Sequence, residues 1–312
     1  MIKILHIVLI ASGVLFNGRF IFADEAPLEG AITISGAWAI YPTVVAWAES
    51  FEKKYPEVKI YVSAGGAGKG AADAISGLSD IGMVSREPDP AEIEKGVTPI
   101  YILKDAIYPV ISEKNPALDV LLKKGIKKDT LVNIYIDGTV AKWDAVVGKT
   151  VNRPIHVYTR SDSSGAAASW AHYLGKKQED LIGVGIYGDP GILETVKRDP
   201  AGIGYSNFSF VFTKGGAVLP GLRLIPIDTN TNGIADTDEI YNNRGDAMKA
   251  IESNKYPTTR KNYFFVKGKP HGLVKDFINF ALSEEGTNIT KEVGTSLPLS
   301  PKDRQEILKT LP

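Results

Sequence analysis

Chemistry concentrates in the stretch Tyr158-Thr-Arg-Ser-Asp-Ser-Ser-Gly-Ala-Ala-Ala-Ser-Trp170. An apolar strand runs into Arg160, a Ser/Gly turn follows, and an Ala-rich helix begins near Gly165. Such an arrangement makes an anion site. A guanidinium offers a planar fork of donors, and a helix N-terminus offers backbone N–H groups with no partner inside the helix. Ser164 and Gly165 stand where those groups should point. The ligand implied is a small oxyanion. The plainer alternative is a surface pair between Arg160 and Asp162.

A second constellation lies in Asp228-Thr-Asn-Thr-Asn-Gly-Ile-Ala-Asp-Thr-Asp-Glu239. It matches the EF-hand calcium loop at its coded positions. Asp228, Asn230 and Asn232 would give side-chain oxygens, and Gly233 would allow the sharp turn. Ile234 would give its backbone carbonyl, Asp236 the ninth position, and Glu239 a bidentate closing carboxylate. Hard oxygen ligands at this spacing suit calcium and not zinc. Two features depart from the pattern. Ala235 replaces the larger aliphatic of the eighth position, and Leu224–Ile227 reads as a strand rather than an entering helix. The alternative is an acidic, Asn/Gly-rich surface loop. A calcium ion here would be structural, and no cofactor is expected for function.

Other tempting residues fall away. Lys69 follows Gly68, but the phosphate-loop spacing fails and Gly70 stands where that loop needs Ser or Thr. His156, His172 and His271 show no metal-ligand spacing.

The elements that position these residues begin after a leader. Lys3, the apolar run Ile4–Phe16 and the triplet Ile21-Phe22-Ala23 read as a secretory signal peptide covering residues 1–23. The run is shorter than the roughly 20 residues a membrane span needs. The chain has no Cys, which excludes disulfides, thiolate chemistry and a cysteine-linked lipid anchor. Without Lys3 and Arg19 the mature chain has 34 basic and 36 acidic residues, a net charge of −2. No concentrated basic face suggests nucleic acid. These features predict an exported, soluble, globular protein.

Strand-like Ala31–Ser35 leads through a turn to Pro42 and a helix with Val44, Val45, Trp47, Ala48 and Phe51 on one face. Val58–Val62 is a second strand, followed by Gly65-Gly-Ala-Gly-Lys-Gly70, a helix and the strand Asp80–Val84. This alternation predicts an α/β fold with mostly parallel sheets. Ile100–Ile111 is a long extended segment in which Pro109 must lie at an edge or a crossover. A second α/β unit runs through Leu131–Tyr135, Ile155–Tyr158 and Gly202–Tyr205, and Asn262–Val266 runs back. Two units joined by two crossover strands make two lobes with a central cleft. Lobe I spans 24–107 plus 257–312 and lobe II spans 108–256. The turns at 36–42, 65–70 and 160–165 would converge on that cleft.

In their shared order these segments resemble the periplasmic phosphate-binding proteins of ABC transporters, within the type II solute-binding fold. The resemblance spans about Ile32 to Leu299. It rests on Ser35-Gly-Ala-Trp-Ala-Ile-Tyr-Pro42, Gly65–Gly70, Asp80-Ile-Gly-Met-Val-Ser-Arg-Glu-Pro88 and Arg160-Ser-Asp-Ser-Ser-Gly-Ala166. Lys142-Trp-Asp144, Gly202–Tyr205, Tyr256–Arg260 and Ser283–Gly286 add to it. It implies a monomeric receptor, not an enzyme, that captures inorganic phosphate or a similar oxyanion and hands it to ABC permease subunits. It also implies a ligand site at Trp38, Ala39, Ala67, Gly68, Ser85, Arg86, Arg160, Ser164, Gly165 and Ala166, with Asp162 behind Arg160.

The chain departs from the family's pattern within that site. Ala37, Trp38 and Ala39 stand where the first turn typically offers hydroxyls, Ala67 replaces Ser, and Ala166 replaces Thr. The carboxylate that often follows the third strand is replaced around Ser85-Arg86. A lost hydroxyl donor to a buried anion costs about 1.5–3 kcal/mol if nothing replaces it. Three such losses would cancel most of a micromolar affinity, worth about 8 kcal/mol. Either backbone N–H groups and Arg86 compensate, or the ligand is a different small organic anion on which Trp38 could stack. Trp38 could equally be core packing, and Arg86 a solvated turn residue. A phosphate-ester hydrolase would need a nucleophile with a base beside it, and Ser164 has no His nearby in sequence.

Overall fold

The computed structural model describes residues 28–311, so the expected leader lies outside the described residues. Four strands open the chain: β1 (Gly30–Gly36), β2 (Val58–Ala64), β3 (Ile81–Val84) and β4 (Val97–Asp105). Ala106 alone separates β4 from β5 (Ile107–Ser112), which belongs to a second sheet. That sheet also holds β6 (His156–Arg160), β7 (Val184–Ile186), β8 (Gly202–Asn207) and β9 (Leu222–Leu224), in the order β9-β5-β8-β6-β7. The chain then returns through β10 (Arg260–Lys267) and the short β11 (Leu297–Pro298). The first sheet is ordered β11-β4-β10-β3-β1-β2.

Each sheet has its own apolar core. Trp47, Phe51, Phe264 and Phe277 pack around the first, while Tyr108, Trp143, Trp170 and Tyr205 pack around the second. We refer to the unit around the first sheet as lobe I and the other as lobe II. The chain passes between them at Ala106 and again just before β10.

The sheets are mixed rather than mostly parallel. β1 runs parallel to β2 and β3, and β6 runs parallel to β7 and β8. The strands next to the crossings, β4, β5 and β10, pair antiparallel. A strand entering straight from the other lobe has no crossover helix to turn it into the parallel direction. Pro109 lies in β5 opposite Tyr205, just beyond the point where β9 stops pairing. Leu131–Tyr135, placed by sequence within the second α/β unit, forms part of the helix Lys128–Tyr135.

Four helices bear on the site: α1 (Tyr41–Lys54), α2 (Ala67–Ser76), α3 (Gly165–Tyr173) and α4 (Gly188–Arg198). Close backbone contact seats the start of α2 against β1 and β3. A Cβ on Gly70 would lie 2.9 Å from the Ser35 carbonyl, and Gly36 beside it has φ 131°. That conformation favours glycine.

Candidate functional site

Arg160 ends β6 and Gly165 begins α3, so the turn between them carries the guanidinium and the helix N-terminus together. The Arg160 side chain is 1 % exposed. Its Nε donates to Asp162 Oδ1 at 2.8 Å, and one Nη donates to Asp162 Oδ2 at 2.6 Å. The other Nη donates to Asp189 Oδ2 at 2.7 Å. Three of the five N–H donors of a guanidinium are thereby engaged. Burial works against the charge on Arg160, but the fields of Asp189 and Asp162 and the Asp162 hydrogen bond outweigh it. The guanidinium is held above its ordinary pKa and stays charged.

Asp189 comes from the first turn of α4 and is fully buried. Its Oδ1 accepts from the Ser206 hydroxyl at 2.9 Å and the Asn207 N–H at 2.8 Å, and its Oδ2 from the Asn207 amide at 2.7 Å. Gln178 braces the turn from the other side, accepting from the Ser164 N–H at 3.1 Å and donating to the Asp162 carbonyl at 2.9 Å. Ser164 caps α3, its Oγ accepting from the N–H groups of Ala166 at 3.1 Å and Ala167 at 3.3 Å. The Gly165 N–H ahead of them meets no acceptor among the described residues. The same holds for Ala67 N–H at the start of α2.

The two lobes meet at these turns. Gly68 N–H donates to the Ser163 carbonyl at 2.9 Å. A Cβ on Gly66 would lie 2.7 Å from Asp162 Oδ2, and one on Gly68 would collide with the Ser163 hydroxyl. Gly165 fits against Ser85, where a Cβ would collide with Oγ and lie 2.6 Å from the carbonyl oxygen. The N-termini of α2 and α3 therefore converge with Arg160, Ser85 and Ser163. Two guanidinium N–H groups, backbone N–H groups and two hydroxyls can face one small anion there. Counted as ionised, Arg160, Asp162 and Asp189 together carry one negative charge, so the favourable field for an anion rests on N–H dipoles more than on net side-chain charge.

The structure thus brings together Ala67, Gly68, Ser85, Arg160, Asp162, Ser164, Gly165 and Ala166. It does not bring Arg86 to the group as a second guanidinium. Arg86 donates to both oxygens of Glu92, at 2.9 and 2.6 Å, and to the Glu87 carbonyl at 3.1 Å. The reason is local. Asp89 and Glu92 form a capping box on the helix Pro90–Glu94, which holds Glu92 beside Arg86. Ala39 is fully buried in the lobe I core, so only its backbone could face a ligand. Ser35, the hydroxyl nearest the first turn, points inward to Asp73 at 2.6 Å. Lys69, its side chain 43 % exposed, pairs with the same carboxylate.

Trp38 is half-buried and belongs to neither apolar core. Its ring meets Tyr41 of lobe I and the edges of Tyr187 and Phe210 of lobe II, with centroids 6.4, 5.9 and 6.3 Å away. It lies across the junction between the lobes, with its indole N–H buried and unpartnered.

Sequence reasoning missed Ser163, Gln178 and Asp189. Ser163 belongs to the same Ser-rich turn, where its hydroxyl is the signal for a donor. Gln178 and Asp189 reach the site through the packing of other elements and carry no local signal.

In the loop 228–239, Asp228 and Glu239 are buried at 2 % and 5 % exposure. Asp228 accepts from the N–H groups of Asn232 at 3.1 Å and Gly233 at 2.9 Å, and Gly233 has φ 79°. Asn230 and Asn232 turn their amide nitrogens to Asp236 Oδ2, at 2.7 and 2.9 Å. Their amide oxygens accept from the N–H groups of Asn232, at 3.0 Å, and Ile234, at 2.7 Å. Glu239 accepts from Thr229 N–H and hydroxyl, each at 2.6 Å. As arranged, no three acidic or His side chains among the described residues are grouped to hold a metal.

Comparison with known proteins agrees with this architecture. The profile of a family described as a PBP superfamily domain matches residues 23–285. The chain is 27% identical over 263 residues to phosphate-binding protein PstS of Bacillus subtilis, covering 84% of this chain and 78% of that one. It is also 27% identical to phosphate-binding protein PstS of Methanocaldococcus jannaschii, over 74% of this chain and 66% of the other. Among solved structures, a putative phosphate ABC transporter substrate-binding protein with bound phosphate from Clostridium perfringens superposes with a TM-score of 0.71. It shares 25% identity, with 87% of this chain and all of that one covered. An ABC-type phosphate transport receptor from Vibrio cholerae, at 20% identity and TM-score 0.64 over 86% of this chain and all of that one, shares the fold.

Proposed function

The chain belongs to the PBP superfamily, and on that basis we propose that it is an extracytoplasmic receptor that captures phosphate between its lobes for an ABC importer. The observation that carries this reading is the convergence on Arg160 of two helix N-termini, one from each lobe. A tetrahedral oxyanion can take the two uncommitted guanidinium N–H groups, the Gly165 and Ala67 N–H groups and the Ser85 and Ser163 hydroxyls. Backbone donors stand in for the side-chain hydroxyls this chain lacks. Export by way of residues 1–23, action as a monomer and delivery to permease subunits complete the proposal.

With Arg86 engaged by Glu92, no carboxylate follows β3 directly to demand a protonated ligand. The cleft is therefore expected to take phosphate with little preference for its protonation state. Isothermal titration of the mature protein against phosphate, sulfate, molybdate and small carboxylates tests this. Phosphate should bind, with similar affinity at acidic and neutral pH. Silence with phosphate and tight binding of an organic acid would overturn the reading. Turnover of a chromogenic phosphate ester is not expected, because Ser164 Oγ is committed to capping α3.

We also propose that the loop 228–239 holds a structural calcium ion. Its ligand spacing, the burial of Asp228 and Glu239 and the left-handed Gly233 support this. The melting temperature should rise with calcium over chelator. Identical values would sink the proposal.

A further inference from the structure

A chain of buried polar groups runs from the anion turn to both strands that join the lobes. It begins at Arg160, whose Nη donates to Asp189 at 2.7 Å. The Asn207 amide donates to the same Asp189 oxygen at 2.7 Å. The Asn207 carbonyl oxygen in turn accepts from Arg260 Nη. Arg260 closes a fork on Asp105, through Nε at 2.7 Å and Nη at 2.8 Å. Asn262 donates to Asp105 at 3.1 Å. Asp189, Asp105 and Asn262 are fully buried, Asn207 is 1 % exposed and Arg260 is 9 % exposed.

The placement of these groups gives the chain its meaning. Asp105 is the last residue of β4, one residue before the first crossing. Arg260 is the first residue of β10, directly after the second. Asn207 ends β8, and the next residue, Phe208, donates its N–H to the carbonyl of Ala106 at 2.8 Å. Thr258 adds a tie between the two crossings, its hydroxyl donating to the Ile107 carbonyl at 2.6 Å. A relative turn of the lobes must pass through these residues.

We propose that Asp189 and Asn207 are positioning residues that couple what Arg160 holds to the angle between the lobes. An anion drawn to the two uncommitted N–H groups of Arg160 pulls the guanidinium against its bond to Asp189. Any shift of Asp189 is felt by Asn207, whose amide has both ends committed, and so by the Arg260–Asp105 fork. In the low dielectric of this interior such bonds strengthen one another, and a buried donor without a partner is costly. The chain therefore favours a small number of discrete arrangements over a soft continuum. Neither Asn207 nor Arg260 is placed to touch the anion. This inference rests on the phosphate-receptor reading for its ligand, but not for its hinge.

The test uses the mature protein with Ala72→Cys and Lys176→Cys, two exposed positions on opposite lobes of a chain with no native Cys. Spin labels there report the distance between lobes with and without inorganic phosphate. Asn207→Ala and Arg260→Lys cut the chain from either side of the same bond, the second with its charge kept. Each should broaden the ligand-free distance distribution and weaken phosphate binding roughly tenfold, within the usual range of coupling between sites. The double variant should bind no more weakly than either single one, because both remove the same link. Measurements well below each melting temperature separate this from loss of fold, and if one variant does not fold the other decides. Unchanged distance distributions in the variants would overturn the proposal, as would wild-type phosphate affinity in them. If the parent protein itself binds no phosphate, the receptor reading fails, and the ligand-free distances still decide the hinge.

Discussion

At the scale of single residues, Arg160 is the side chain whose replacement is most informative. A Lys could keep the charge, but its ammonium cannot grip Asp162 in a fork, reach Asp189 and still present donors to a ligand. Removing one partner from buried charge pairs costs about 2–5 kcal/mol. Arg160→Lys should therefore weaken phosphate binding by on the order of a hundredfold, read by titration calorimetry, since each 1.4 kcal/mol is about a factor of ten. Arg86 makes a different prediction, about stability. Burial alone would raise the Glu92 carboxyl, but the Arg86 hydrogen bonds, the Asp89 N–H and the Arg86 charge outweigh it and hold it below its ordinary value. A depressed carboxyl stabilises the fold fully above its unfolded-state pKa of about 4.3 and loses that contribution as pH falls through the lower folded value. Wild type should resist urea better than Glu92→Gln at neutral pH, by on the order of 1 kcal/mol for a partly buried charged hydrogen bond. The two curves should converge at strongly acidic pH, and a gap that persists there would show that the pair is not its source.

At the scale of elements, the strand–turn–helix unit is the working part, and it was largely legible in the sequence. Gly65–Gly70 and Arg160–Gly165 announce their turns because each carries its own conformational requirement and helix start within a few residues. The partners of those turns were not legible. Asp189 lies 29 positions beyond Arg160 and reaches it only because β6, β7 and β8 stack α4 over the end of β6. Sheet direction was misjudged for a related reason, since alternation of strands and helices does not reveal a strand that passes between lobes. The pairing of Arg86 was readable after all, because Asp89-Pro-Ala-Glu92 has the form of a capping box. One close meeting of the lobes is Gly165 of α3 against Ser85, just after β3, and it yields a prediction. Gly165→Ala places a methyl in collision with Ser85 Oγ and 2.6 Å from the Ser85 carbonyl oxygen, while Ala suits the first turn of a helix at least as well as Gly. The variant should melt near the wild-type temperature yet lose phosphate affinity, because the lobes can no longer meet. Retained affinity would mean that this contact does not form in the ligand-bound protein.

At the scale of the whole molecule, function depends on how two separately cored lobes come together, and Trp38 is the aromatic side chain placed across their junction. Sequence left it divided between core packing and stacking on an organic ligand. In the structure it rests against Tyr187 and Phe210 of lobe II, and a Cβ on Gly188 would lie 3.2 Å from its ring. Rings packed edge to face contribute about 0.5–1.5 kcal/mol each beyond the area they bury. Those contacts exist only while the lobes are together, so they favour closure and are lost on opening. Trp38→Ala should then act on the lifetime of the complex more than on its formation. Phosphate release in stopped flow should accelerate by roughly tenfold or more for two such contacts, while association changes little, as is usual when interface packing is lost. The same variant separates the two readings of the ring. If Trp38 stacked on an organic anion, its removal would abolish binding of that anion and spare phosphate. If it latches the lobes, every ligand of the cleft is released faster, whatever its chemistry.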